Sequence, residues 1–166
     1  MAIRQIRQEG DSMLTKKSRP VKEITPTILA LMDDMLETLR AHDGIGLAAP
    51  QIGSLKRIAI IENEGELYEL INPEIVEQKG EQISNEACLS IPGRCGDISR
   101  PKKLTVRALN RSGEEITVNI DGLLVSAFCH EIDHLDGVLF THKAINISLI
   151  DPDDGWDHTV RDVSEE

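Results

Sequence analysis

The chain has 166 residues, 40% of them apolar and 28% charged, with a net charge of −11. That length supports one domain with its own core, and the acidity disfavours binding to a phosphate backbone. Two Phe, one Tyr and one Trp are too few for a base-stacking platform, and no apolar run approaches the ~20 residues that span a bilayer.

Taken in chain order, the first 23 residues are polar and irregular, and Met1 to Gly10 lacks the apolar middle of a signal peptide. Three Cys, an odd number, suit reduced thiols or metal ligation better than a disulfide framework, so the chain is expected in the cytoplasm. Thr25 and Pro26 then open a helix in which Ile28, Leu31, Met32, Met35 and Leu39 recur at helical spacing, until Asp43-Gly44 stops it. Short strands are predicted over Arg57–Ile61 and Leu67–Ile71 around a turn at Asn63–Glu66. Asn72-Pro73 is expected to break the second, with Glu74–Gln78 resuming it. Lys103–Leu109 and Glu115–Ile120 flank Asn110-Arg111-Ser112-Gly113 and read as a hairpin.

Asp121 is the expected cap of a second helix, Leu123–Leu135, which ends near Gly137 and is apolar on most sides. This order predicts an α+β fold: mostly antiparallel sheet packed around a central buried helix, with a helix near the N-terminus. Residues 1–150 read as a single catalytic domain. Residues 151–166 read as a loosely ordered tail, where seven acidic residues face Arg161 alone.

The strongest chemical signal is His130-Glu131-Ile132-Asp133-His134. Residues four apart share a helix face, so both imidazoles can meet one metal ion, with Glu131 one step around and able to reach a water there. A catalytic site needs a third ligand. The candidates are Cys88, Cys95, Cys129 and the acids Asp151, Asp153 and Asp154. Cys129 points about 100° away from His130 and suits a buried apolar role. Cys95 lies among Gly93, Arg94 and Gly96 and reads as structural or exposed. Position favours Cys88 over the tail acids without excluding them. The stretch Gly44–Gly53 reads equally as a helix stop with a small-residue turn or as backbone that approaches a ligand closely, with Gln51 offering an amide donor.

Three segments then agree: Gly44–Gln51 (GIGLAAPQ), Glu86–Ser90 (EACLS) and His130–Gly137 (HEIDHLDG). In order and spacing they resemble the three signature motifs of the peptide deformylases, and the similarity runs from the N-terminus to about Phe140. The resemblance implies removal of the formyl group from the N-terminal formyl-methionine of new polypeptides, near the ribosome, by a monomer. It implies Fe(II) as the natural ion, with zinc, nickel or cobalt as substitutes, and Cys88, His130 and His134 as its ligands. Glu131 matches the proton carrier, and Gln51 and the Leu89 N–H match the oxyanion donors. Glu86 and Arg100 resemble a supporting ion pair. Ile45, Leu123, Ser126 and Ala127 match the methionine pocket, and Gly46 matches the backbone that pairs with substrate. Ala87 stands where the family usually has Gly, and Thr141-His142-Lys143 departs from its common Asp-Arg pair.

Two rivals differ in their ligands. A small HExxH metallopeptidase would need a third His or Glu, and a structural zinc module would close with four ligands.

Overall fold

A stripe of Ile28, Met32, Met35 and Leu39 explains why helix α1, Pro26–Ala41, forms and which face it buries. The Thr25 hydroxyl caps it by accepting from the Ile28 N–H at 3.3 Å, and the chain leaves it through Asp43 at φ 52°. These features belong to a computed structural model that describes residues 2–163. The last three residues of the expected tail lie outside it.

Among the described residues, nine strands follow α1 in two antiparallel sheets. The first contains β1 (Gly46–Ala48), β2 (Ile58–Asn63), β3 (Glu66–Lys79), β6 (Lys103–Leu109) and β7 (Glu115–Asp121), in the order β1-β2-β3-β6-β7. The second contains β4 (Gln82–Cys88), β5 (Ile91–Arg100), β8 (Asn146–Leu149) and β9 (Thr159–Asp162), in the order β8-β5-β4-β9. Helix α2 spans Leu123–Leu135, and the short helix α3 spans Phe140–Lys143. The period of two along β2 divides its side chains. Ile58 and Ile60 pack with the α1 stripe, while Ile61 joins Val125, Phe128 and Ile132 of α2. The first sheet therefore lies between the helices, and α2 also meets β4 and β5 of the second sheet. Each fully buried Ile or Leu here contributes on the order of 1.5–3 kcal/mol.

The predicted α+β architecture, the central helix, the strands around the 63–66 turn and the 103–120 hairpin are present, with five local differences. Asn72-Pro73 does not end a strand. Asn72 sits at φ 53° in a bulge within β3, and its amide exchanges two 2.8 Å hydrogen bonds with the Val21 backbone. Asp121 does not cap α2: it ends β7, and Gly122 at φ 65° starts the helix without a side-chain cap. Cys95, read as structural or exposed, is buried in β5, in a stretch where no strand was expected. The hairpin of β4 and β5 gave no apolar alternation, because the buried positions of β4 include Gln82, Ser84 and Glu86. Within the acidic tail, Thr159–Asp162 pairs with β4 as its edge strand.

Replacing Asn72 tests the bulge. Asn72→Ala loses both bonds and strains the left-handed backbone, and should lower unfolding free energy in urea by about 2–3 kcal/mol. Asn72→Gly should lose less, because it keeps the backbone conformation.

Candidate metal centre

Three residues of β4 reach α2 or the glycine that starts it. Gln82 Nε2 donates to the Gly122 carbonyl at 2.8 Å, the Glu86 carboxylate lies 2.9 Å from His130 Nδ1, and Cys88 Sγ lies 3.3 Å from His134 Nε2. Strand and helix thus share a register, which brings the Cys88, His130 and His134 ligand atoms within 4.8 Å of one another. Ligands at 2.0–2.3 Å from a tetrahedral ion stand roughly 3.3–3.7 Å apart, so the 3.3 Å Cys88–His134 separation fits a shared ion. Among the described residues this is the group assembled to hold a metal, and two of its three residues, Cys88 and His130, line a cavity. A closed four-ligand structural site has no such opening.

Orientation comes from behind the ligands. Glu86 is held by Arg100 through two hydrogen bonds of 2.8 Å, and Arg100 also donates to Asp133 at 2.7 Å. Burial opposes the charge on Glu86, but the bonds from Arg100 and then His130 outweigh it and hold its pKa at about 2. The ionised Glu86 accepts from His130 Nδ1, which leaves Nε2 to face the centre. Burial also opposes charge on His130, yet the Glu131 carboxylate and Cys88 help raise its pKa well above the ordinary value. Burial, His130 and Arg100 push His134 well below it.

Glu131 is 4% exposed, and its Oε1 has no hydrogen-bond partner among the described residues. Burial pushes its carboxyl up to about 7. The opposite wall must be glycine, since a Cβ on Gly46 would stand 2.6 Å from Glu131 Oε2. Gln51 is fixed at both ends of its amide: Oε1 accepts from the Ala48 N–H at 2.9 Å and Nε2 donates to Ser90 Oγ at 3.0 Å. Its second N–H points toward Cys88 Sγ, 3.7 Å away.

A cavity of about 440 Å³ joins these groups. Ile45, Gly46, Gln51, Cys88, Leu89, Ser126, Ala127, His130 and Glu131 line it, while His134 sits behind Cys88. Leu123, the first residue of α2, is half-buried and stands off the cavity lining. Cys129 is buried with its thiol pushed up to about 11, as suits a packing residue. Trp156, Asp157 and His158 also line the cavity, and Ser90 holds Gln51, and no sequence pattern points to either.

The sequence model of the family described as polypeptide deformylase matches residues 3–149. A peptide deformylase of Acetivibrio thermocellus is 56% identical over 154 residues, covering 93% of this chain and 89% of that protein. One of Carboxydothermus hydrogenoformans is 51% identical over 147 residues, covering 89% and 97%. The crystal structure of peptide deformylase from Thermotoga maritima superposes with a TM-score of 0.85 at 34% identity, over 88% of this chain and all of that one. The Legionella pneumophila peptide deformylase superposes at 0.83 with 38% identity, over 91% and 88%.

The Glu86 pKa yields a test of the buried pair. Its folded value lies below the ordinary 4.5, so its contribution is present above pH 4.5 and is lost as pH falls through about 2. Urea unfolding of the metal-free protein should weaken across that window, and Glu86→Gln should show a shallower fall over the same range.

Proposed function

The chain belongs to the polypeptide deformylase family, and from that premise we propose how its cavity removes the N-formyl group from the formyl-methionine of new polypeptides. The observation that carries this reading is a buried Cys, His and His cluster beside an unpaired, proton-poised Glu131 on one cavity. The family is metal-dependent, and Cys88, His130 and His134 are the residues that would hold the ion. A thiolate with two imidazoles suits Fe(II), with zinc, nickel or cobalt as substitutes. When bound, the ion polarises the formyl oxygen and lowers the pKa of water from about 15.7 towards about 7.

Glu131 takes a proton from water as the water oxygen adds to the formyl carbon. It then returns that proton to the amide nitrogen as the C–N bond breaks, so formate and a free methionyl amine leave. A carboxyl raised to about 7 by burial suits both halves of this exchange. The developing oxyanion accepts from Gln51 Nε2 and the Leu89 N–H, and losing one such donor costs roughly 10²–10³ in rate. The clamping of Gln51 between Ala48 and Ser90 supports this role, because it leaves the N–H aimed toward Cys88 Sγ to donate.

Ile45, Ser126 and Ala127 form the methionine pocket in this reading, with Leu123 set behind its lining. Gly46 offers its backbone to the extended substrate, a role supported by the edge position of β1 in its sheet. Residues 1–150 act as one catalytic domain carrying the 151–166 tail. The chain works as a monomer in this reading. Its place is the cytoplasm, close to the ribosome where its substrate emerges. No described helix is long and apolar enough to cross a membrane.

Glu131→Ala should bind metal at the level of the parent and lose about 10²–10⁴ in kcat. Metal content and formate release are the two measurements. Full activity with metal bound would remove Glu131 from the mechanism, and metal loss would make it a ligand.

A further inference from the structure

Trp156, Asp157 and His158 line the metal cavity yet lie beyond residues 3–149 that the family's sequence model matches. Strand β9 follows them and pairs with β4, setting Asn85 opposite Thr159 and Gln82 opposite Asp162. Lys102 pairs with Asp162 at the far end. Two further bonds fasten the segment to β4: Trp156 Nε1 donates to Asn85 Oδ1 at 2.7 Å, and His158 Nε2 lies 3.2 Å from Ser84 Oγ. The two rings stack, with centroids 5.6 Å apart and planes 19° apart. The segment therefore hangs on the strand that carries Glu86 and Cys88.

Space on the facing side makes this attachment consequential. Ahead of His130, α2 gives the cavity Ser126 and Ala127, and Ser126 is fully buried with no hydrogen-bond partner for its Oγ among the described residues. A cavity bounded by such small side chains takes its bulk from elsewhere, and the largest side chain lining it is the Trp156 indole.

We propose that Trp156 and His158 form the outer wall of the pocket for the substrate's first side chain, and that this wall sets its size limit. The inference rests on the deformylase reading and deepens it. In the nickel-loaded full chain, Trp156→Ala should raise the kcat/KM ratio of formyl-Phe-Ala to formyl-Met-Ala by about ten-fold, mainly through KM. An unchanged ratio overturns the proposal. A second readout needs no turnover, because Trp156 is the single tryptophan of the chain. In nickel-loaded Glu131→Ala, formyl-Met-Ala should shift its emission saturably. If the parent releases no formate, the deformylase reading fails and the emission decides the wall. The emission decides likewise if Trp156→Ala does not fold. A saturable shift then supports the wall, and a flat response overturns it.

Discussion

Where β4, β5 and α2 meet, a guanidinium and a carboxylate are packed out of water, with a second, half-buried carboxylate beside them. Arg100 is 4% exposed and grips Glu86 with two bonds and Asp133 with one. Removing such charges from solvent costs several kcal/mol per ion, and their attraction in a low-dielectric interior offsets that cost only when the geometry is good. A well-packed apolar replacement is often no less stable, so stability alone does not account for the arrangement. Orientation does. Arg100 keeps Glu86 ionised, Glu86 fixes the proton of His130 on Nδ1, and Nε2 is thereby turned to the centre. Asp133 extends the same grip one turn along α2, so sheet and helix hold the ligands in one register.

A second constraint is crowding. Glu131 has room for its carboxylate only because residue 46 has no side chain, and the backbone of β1 therefore lies against the proton carrier. The same short segment runs into the turn whose Gln51 amide is clamped between Ala48 and Ser90. Small residues in this stretch place an edge strand, a proton carrier and an oxyanion donor within one cavity. The edge of β1 that pairs with nothing in its own sheet is the one available to an extended peptide.

Periodicity exposed what is locally encoded. The α1 stripe, the capped start at Thr25, the hairpin around Asn110 and the spacing of His130, Glu131 and His134 are all short-range patterns, and each appears in the structure. The third ligand was a different kind of problem. Cys88 stands 46 residues before His134, and no spacing rule connects a strand end to a helix face across the hairpin between them. Motif resemblance, not geometry, singled it out. The β4–β5 hairpin escaped notice because its buried face is polar, so the strand that builds the centre carries no hydrophobic signature. Trp156 and His158 were illegible for a related reason: their places depend on β9 pairing with β4 across more than seventy residues.

The central claim is that these groups cleave a formyl amide and leave the peptide behind it whole. Anaerobically prepared, Fe(II)-loaded protein should be mixed with a formyl-Met-Ala-Ser peptide, and formate and peptide products quantified together. One formate per peptide, with an intact chain carrying a new free amine, is the predicted result. Shorter peptide fragments without formate would contradict it.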